Sequence, residues 1–125
     1  MEATENIFGT SLQGYIKASY EQLLKAFGAP NPRLCDNYKT DVEWAFEFAD
    51  GTIATLYNWK NGKNYLGDEG LELNDIYEWN VGGFNEKAVS KLLEKLRSNS
   101  SVNLLAIASA PSLSLFASFI IFFLF

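Results

Sequence analysis

The residues best suited to bind a ligand surround a tight turn that the sequence predicts between Tyr57 and Tyr65. This stretch contains three aromatic, two lysine and three asparagine side chains. Flat rings can stack on a nucleotide base, lysines can bind a phosphate, and asparagines can read polar edges. The candidate ligand-binding residues are Tyr57, Trp59, Lys60, Asn61, Lys63, Tyr65 and Trp79. In the alternative, Tyr57 and Trp59 pack in the core of a hairpin and the other residues only form the turn.

The composition excludes several kinds of catalysis. The chain contains no histidine, which rules out Ser-His-Asp and Cys-His arrangements and imidazole metal sites. Cys35 has no histidine partner and the adjacent Asp36 opposes thiolate formation, so we expect an inert thiol. We predict that the protein is not an enzyme and that it uses no metal and no cofactor. The alternative is an enzyme working through carboxylates, which would need two buried acids in one cleft.

Carboxylates also cluster in the segment between Gly67 and Glu78. Their spacing does not match the alternating ligand pattern of a calcium loop. Because charged clusters usually stay in water, we interpret this segment as a solvated loop. Its carboxylates are Asp68, Glu69, Glu72, Asp75 and Glu78.

All charged side chains lie at or before Arg97, where 15 acidic and 10 basic residues give a net charge of -5. Nucleic-acid binding depends on clustered Lys and Arg, so this balance disfavours it. The single cysteine excludes an intramolecular disulfide and favours a reducing compartment. The N-terminus contains Glu2 and Glu5 and lacks the apolar segment of a signal peptide. These features predict a cytoplasmic protein.

Two amphipathic helices are predicted. Ser19 and Gln22 have the spacing of a capping box, which starts a helix that ends at Gly28 and Pro30. Asn85 is the expected N-cap of the second helix. The apolar residues of that helix recur at helical spacing and are Ala88, Val89, Leu92, Leu93 and Leu96.

A hairpin is the clearest structural signal in the sequence. Two strands with alternating apolar residues flank Asp50-Gly51, a dipeptide typical of two-residue type I′ turns. The pairs predicted for its apolar face are Phe48 with Ile53, Phe46 with Thr55, Trp44 with Tyr57 and Val42 with Trp59. The other face, with Glu43 and Glu47, is expected to face mostly water.

Three further segments complete the predicted fold. Residues 31–41 show no periodicity and form a long loop that either contributes to a surface site or only connects two elements. Residues 65–67 begin a short strand, and residues 77–81 form another strand that ends at Gly82-Gly83. The predicted fold class is α+β, with a small antiparallel sheet of three to five strands and two helices packed on one face.

The C-terminal end differs in composition from the rest of the chain. We predict an α+β domain over 1–97, a polar linker over 98–103 and an apolar tail over 104–125. As a helix rising about 1.5 Å per residue, the tail is long enough to cross a bilayer, so one alternative is a tail-anchored membrane protein with a cytoplasmic domain. Pro111 and four serines weaken that interpretation, and the other alternative is a non-native extension.

Several short blocks follow each other in a specific order between Leu12 and Val89. They are Gly14-Tyr15-Ile16, Phe27-Gly28-Ala29-Pro30, Asp36-Asn37-Tyr38-Lys39-Thr40-Asp41, Trp44, Asp50-Gly51-Thr52, Ala54-Thr55-Leu56-Tyr57-Asn58-Trp59-Lys60 and Trp79-Asn80-Val81-Gly82-Gly83. In this order the blocks resemble small uncharacterised accessory proteins of tailed phages and other large DNA viruses. The resemblance implies a viral accessory protein in the host cytoplasm. It implies no established activity and no catalytic residues.

We therefore expect a non-enzymatic viral accessory protein that binds a host protein and counters host defence. An acidic domain can cover a basic surface of its partner, and complementary charge accelerates association. The alternative is capture of a nucleotide-like signal through the turn between Tyr57 and Tyr65, which requires a pocket lined by rings and lysines. A further alternative is membrane tethering through residues 104–125. The sequence leaves the partner's identity and the oligomeric state open.

Overall fold

The structure, a computed structural model, describes residues 1–109, in which it contains five β-strands, three α-helices and two short 3-10 helices. The strands are β1 Glu2–Ala3, β2 Ser11–Lys17, β3 Glu43–Glu47, β4 Ile53–Tyr57 and β5 Glu78–Gly83. The α-helices are α1 Tyr20–Phe27, α2 Lys63–Leu66 and α3 Lys87–Ser109, and the 3-10 helices are Gly67–Glu69 and Leu73–Asp75. The residues fall into two units that divide between Leu93 and Glu94, and all strands belong to the first.

The strands form one antiparallel sheet in the order β1-β3-β4-β5-β2. This arrangement, with α1 and the beginning of α3 on one face, confirms the predicted α+β fold. Strand β2, which comes just before α1 in the chain, forms one edge of the sheet. The sequence does not predict β1 because two residues carry no periodicity.

The helix-covered face packs around two buried tryptophans. Trp44 and Trp79 meet edge to face with 6.0 Å between ring centroids, and Tyr20 of α1 lies 6.2 Å from each. The Trp44 indole N–H donates to the Gly28 carbonyl at 2.8 Å. The Trp79 indole N–H donates to the Ala18 carbonyl, also at 2.8 Å. Because both buried N–H groups are satisfied, the indoles contribute their full apolar area to the core.

Helix α1 has the predicted ends. The Ser19 hydroxyl accepts a hydrogen bond from the Gln22 N–H at 3.1 Å, and the Gln22 side chain accepts one from the Ser19 N–H at 2.8 Å. These reciprocal bonds confirm the capping box. At the other end Gly28 has a φ of 79°, and its N–H donates to the Leu24 carbonyl at 2.9 Å.

Helix α3 also begins as predicted. The Asn85 side chain accepts a hydrogen bond from the Lys87 N–H at 2.9 Å, which satisfies a donor at the start of the helix. Ala88 and Leu92 are fully buried. A Cβ at Gly83 would lie 2.6 Å from the Ala88 Cβ, so the glycine allows the helix to approach β5 closely.

The hairpin between β3 and β4 does not contain the predicted two-residue turn. The Gly51 N–H donates to the Phe48 carbonyl at 2.9 Å, and the Phe48 N–H donates to the Thr52 carbonyl at 2.9 Å. Gly51 has a φ of 88°. These features are typical of a three-residue hairpin loop closed by a left-handed glycine.

The longer loop shifts the register by one residue and exchanges the two faces of β4. Trp44 lies opposite Leu56, and Tyr57 lies opposite Glu43. Leu56 therefore faces the helices, whereas Tyr57 faces the uncovered side of the sheet. The wrong pairs are Phe48 with Ile53, Phe46 with Thr55, Trp44 with Tyr57 and Val42 with Trp59.

One prediction for the segment before α3 is also wrong. Residues 65–67 begin no strand, because Lys63–Leu66 forms α2 and Gly67–Glu69 continues as a 3-10 helix. The predicted strand before α3 is β5, which ends at Gly82 and Gly83 as predicted, and Gly82 pairs with Thr55 of β4. Glycine is tolerated inside a strand where another group approaches closely.

The described part of the predicted linker and tail is helical. Residues 98–103 belong to α3, which continues to Ser109. Residues 110–125 of the predicted tail lie outside the described residues. Within the part of the chain that the structure describes, no helix combines the length and apolarity needed to cross a membrane.

Candidate functional site

The sheet face opposite the helices carries an open pocket of about 250 Å³. Strands β3, β4 and β5 form its floor, the loop over residues 31–41 forms one wall, and Trp59 lies at its outer edge. The lining residues are Thr10, Ser11, Leu34, Asp36, Thr40, Glu43, Thr55, Tyr57, Trp59 and Gly82. Leu34, Asp36 and Thr40 of the long loop therefore line this pocket.

Glu43 is the buried acid of the pocket, with 9% of its surface exposed. Among the described residues no donor hydrogen-bonds its carboxyl, and no fully enclosed side-chain oxygen or nitrogen lacks a partner. The carboxyl is therefore open to the cavity. Burial, and secondarily the negative charge of Asp36, raise the pKa of Glu43 to about 7. Glu43 is thus present in both protonation states near neutral pH.

Asp36 organises the loop that forms the pocket wall. Its Oδ1 accepts hydrogen bonds from three consecutive backbone N–H groups, those of Tyr38, Lys39 and Thr40, at 2.9 to 3.1 Å. The Thr40 hydroxyl donates to the same oxygen at 3.2 Å. These bonds, with that from Tyr38 the largest contribution, lower the pKa of Asp36. Asp36 therefore stays ionised in the pH range where Glu43 titrates.

Tyr57 joins the floor of the pocket to its outer edge. Its ring lies 6.1 Å from the Trp59 ring, with an angle of 78° between the ring planes. Tyr57 lies opposite Asn80 on β5. Burial and then the charge of Glu43 raise the pKa of Tyr57, so its phenol stays protonated at neutral pH.

A glycine keeps the floor of the pocket open. Gly82 lies opposite Thr55, and a Cβ at Gly82 would collide with the Thr55 hydroxyl oxygen and lie 3.6 Å from Tyr57 Cε1. Any side chain at this position would therefore occupy the floor of the pocket beside Thr55. Gly82 thus belongs to the end of β5 and also lines the pocket.

Aromatic and basic side chains alternate beside the pocket in what we call the basic aromatic rim, formed by Tyr38, Lys39, Trp59, Lys60 and Tyr65. Lys39 Nζ lies 5.8 Å from the Tyr38 ring and 5.6 Å from the Trp59 ring. Lys60 Nζ lies 5.8 Å from the Trp59 ring and 5.5 Å from the Tyr65 ring. The ring centroids of Tyr38 and Tyr65 are 5.3 Å apart, so each of the five rim side chains has two neighbours within the rim. The rim thus presents two cations in an otherwise acidic protein.

Asn58 fixes the rim to the sheet. This residue is fully buried, and its Oδ1 accepts the N–H groups of Asp41 at 2.7 Å and Val42 at 3.2 Å. Its Nδ2 donates to Asp41 Oδ1 at 2.8 Å and to Asn61 Oδ1 at 3.1 Å. All its polar positions are used to join the loop before β3 to the turn after β4.

The structure brings together four of the predicted ligand-binding residues. Tyr57 and Trp59 line the pocket, and Lys60 and Tyr65 belong to the rim. The alternative placement of Tyr57 and Trp59 in the helix-covered core is wrong, because Tyr57 is half-buried on the uncovered face and Trp59 is 42% exposed.

The other three predicted residues lie elsewhere or have structural roles. Asn61 accepts the hydrogen bond from Asn58 and supports the turn. Lys63 forms an ion pair with Glu72 at 3.6 Å. Trp79 is 0% exposed on the helix-covered face and does not belong to this surface.

Sequence reasoning missed Glu43, Asp36, Tyr38 and Lys39 as site residues. Glu43 was predicted on the correct face, but its burial depends on the loop that folds over it. A signal existed for the rim, because the dipeptide Tyr38-Lys39 repeats the aromatic and basic pattern of Trp59-Lys60. The backbone joins these dipeptides, since the Lys60 N–H donates to the Lys39 carbonyl at 2.7 Å.

The pocket offers hydrogen-bond acceptors inside and positive charge outside. Glu43 and Asp36 provide the acceptors, and the rim provides the cations. Within the described residues no group of three or more Cys, Asp or Glu side chains is arranged to hold a metal ion.

These features define a small α+β protein whose uncovered sheet face carries an acidic pocket with a basic aromatic rim. No protein-family model matches the chain, and neither does any curated protein or solved structure. The geometry of the pocket is therefore the basis for assigning a function.

Proposed function

We propose that the protein captures a small nucleotide-like molecule in the pocket on the uncovered face and acts by binding rather than by catalysis. The observation that carries this proposal is the Glu43 carboxyl, which is buried, has no hydrogen-bond partner and opens into the cavity. Burial removes part of the hydration of this carboxyl and so costs free energy in the empty protein, which is the main reason its pKa is raised. A ligand with a suitable donor recovers that free energy.

The rim supports a ligand that combines a planar ring with an anionic group. Aromatic side chains such as Trp59 can stack on a base, and this stacking contributes about 1 to 3 kcal/mol per base. Lys39 and Lys60 lie beside the Trp59 ring and can bind a phosphate group that extends from the base out of the pocket. The charge pattern therefore suits a ligand with its polar ring inside and its phosphate at the rim.

The size of the pocket limits the ligand to one ring system. Pockets for drug-sized ligands measure about 300 to 1,000 Å³, and this pocket measures about 250 Å³. A single base fits this volume, with the sugar and phosphate lying on the rim. Acid and base catalysis by a carboxylate pair has less support, because the oxygen Oδ1 of Asp36 is already used by its own loop.

Tryptophan fluorescence offers a direct test. Of the three tryptophans, Trp44 and Trp79 are buried and Trp59 is exposed at the pocket. We expect nucleoside monophosphates to quench the fluorescence of the full-length protein in a saturable way. Native mass spectrometry of full-length protein purified from host cells would identify a bound ligand by its mass.

Matched variants make the test specific to the pocket. Trp59→Ala should weaken binding measured by isothermal titration calorimetry about tenfold, the loss expected for one stacked base. Tyr77→Ala changes a more exposed aromatic residue that does not line the pocket and should leave affinity unchanged. Equal affinity of the two variants for every nucleotide would contradict the proposal.

An exposed apolar patch supports a second function, the binding of a host protein. Phe8 is 95% exposed, and Phe84 and Leu12 are also exposed. A Cβ at Gly9 would lie 3.3 Å from Phe84 Cε1, which places the turn after Phe8 against Phe84. Exposed apolar residues that cluster in this way often mark protein-binding surfaces.

The two functions use different residues and can be tested separately. A host protein that co-purifies in a fixed ratio should be lost from the double variant Phe8→Ser, Phe84→Ser and retained by Trp59→Ala. If the double variant keeps the partner, the apolar patch is not its binding surface.

A further inference from the structure

We propose that the pocket selects a guanine-type ring, with its two adjacent N–H donors directed at Glu43 and its phosphate at Lys39 and Lys60. This inference rests on the proposed function and deepens it by naming the class of base. It follows from the donors and acceptors that the empty pocket presents.

The first step is the bonding capacity of Glu43. An ionised carboxylate has two oxygens that accept two parallel N–H bonds. Among the described residues no donor competes for them, and the side chain is buried on the sheet face between Tyr57 of β4 and the loop that carries Asp36. The carboxylate therefore presents two free acceptors side by side.

The second step is that no described side chain donates a hydrogen bond to that carboxylate. Asp36 is another acceptor, and its loop donates three backbone N–H groups and the Thr40 hydroxyl to Asp36 itself. The hydroxyls of Ser11, Thr55 and Tyr57 and the indole of Trp59 also line the pocket, but none of them is hydrogen-bonded to Glu43. No lysine or arginine is among the described residues that line the pocket. A ligand can therefore supply the donors for Glu43.

The third step compares the bases. Guanine carries an exocyclic amine beside a ring N–H, so it offers two adjacent donors and matches an ionised carboxylate. Adenine carries its amine beside an unprotonated ring nitrogen and matches only a protonated carboxyl, which has one donor and one acceptor. The negative charge of guanine's phosphate then lies outside the pocket, next to the two rim lysines.

Three nucleotides distinguish this inference from the broader proposal. Guanosine, inosine and adenosine monophosphate have the same sugar and phosphate. At the two positions where guanine carries its adjacent N–H donors, the three nucleotides offer two donors, one donor and no donor, respectively. Titration calorimetry with full-length protein should give guanosine monophosphate about tenfold or more tighter binding than adenosine monophosphate, with inosine between them. Equal or tighter binding of adenosine overturns the inference but leaves nucleotide capture standing. Binding of none of the three overturns both.

A substitution at Glu43 tests the contact itself. In Glu43→Gln the side chain keeps one acceptor and gains a donor, so guanosine monophosphate should bind about tenfold more weakly and the preference should shift towards adenosine monophosphate. Glu47→Gln is the control, because Glu47 belongs to the same strand, is exposed and does not line the pocket. A uniform loss for all nucleotides in Glu43→Gln would indicate a structural role and overturn the inference.

The sign of the pH dependence gives an independent measurement. The charged or titratable groups that face Glu43 are Asp36 from the loop and Tyr57 from β4. With a pKa of about 7, Glu43 is mostly protonated at pH 6 and mostly ionised at pH 8. Guanosine monophosphate should therefore bind about tenfold more tightly at pH 8 than at pH 6. Tighter binding at pH 6 would overturn the inference.

Discussion

Glu43 and Tyr57 lie directly opposite each other on strands β3 and β4. Their pairing places an acid and an aromatic ring on the same uncovered face of the sheet. The loop with Asp36 then covers Glu43, and the chain that leaves β4 after Tyr57 carries Trp59 to the outer edge of the pocket. One cross-strand pair thus joins the buried floor of the site to its exposed rim.

The raised pKa of Glu43 predicts a loss of stability as the pH rises. The unfolded chain ionises this side chain at its ordinary pKa of 4.5, whereas the folded protein does so at about 7. The folded protein therefore binds more protons, and stability present below pH 4.5 is lost as the pH rises towards and through 7. The loss amounts to up to about 3 kcal/mol in the free energy of unfolding, measurable by urea unfolding between pH 5 and 8.

Glu43→Gln provides the control for this pH dependence. The variant lacks the ionisation, so its stability should be nearly constant over the same pH range and exceed that of the wild-type protein at pH 8. The lowered pKa values of Asp36 and Asp50 act at more acidic pH and do not affect this window. A wild-type slope that persists in Glu43→Gln would assign it to another group.

The buried amide of Asn58 predicts a large loss of stability on truncation. Asn58→Ala leaves the N–H groups of Asp41 and Val42 without their acceptor. Each such loss costs about 1 to 3 kcal/mol, so the free energy of unfolding should fall by about 2 to 6 kcal/mol. Asn64→Ala is the comparison, because its side chain donates a single bond to the Thr40 carbonyl and is exposed. Similar effects of the two substitutions would argue against the network.

The left-handed conformation of Gly51 predicts that substitutions at this position lower the stability of the protein by amounts that depend on the residue introduced. Gly51→Ala should lower the free energy of unfolding by about 1 kcal/mol, since residues with a Cβ disfavour a positive φ. No atom lies within 4 Å of the added Cβ, so the cost is conformational rather than steric. Gly51→Asn should cost less, because asparagine adopts this conformation more readily. Thermal unfolding that ranks Asn below Ala would contradict the three-residue loop.

Trp79 and Trp59 lie on opposite sides of the sheet, so we expect substitutions of Trp79 to affect stability and substitutions of Trp59 to affect nucleotide affinity. Trp79→Phe removes a buried N–H donor and leaves the Ala18 carbonyl unpaired, so it should destabilise the protein by about 2 kcal/mol without changing nucleotide affinity. Trp59→Ala should weaken nucleotide binding and change stability by about 0.5 kcal/mol or less. The prediction fails if Trp79→Phe remains folded and yet binds nucleotides more weakly.

The sequence predicts the elements whose determinants are local. Ser19 and Gln22 lie one helical turn apart and satisfy each other's backbone donors, so a few residues define the start of α1. Asn85 marks the beginning of α3 in the same way. The reversal at Asp50-Gly51 is also local, because glycine is needed wherever the chain must adopt a positive φ.

The register and the pocket were decided only by the tertiary structure. The dipeptide Asp50-Gly51 is compatible with a two-residue or a three-residue loop, and a difference of one residue decides whether Tyr57 faces the helices or the uncovered side. Packing of Leu56 with Trp44 under the helices favours the longer loop. Glu43 becomes a buried acid only because Asp36 and its loop fold against the sheet, and desolvation depends on atoms that lie close in space rather than in sequence.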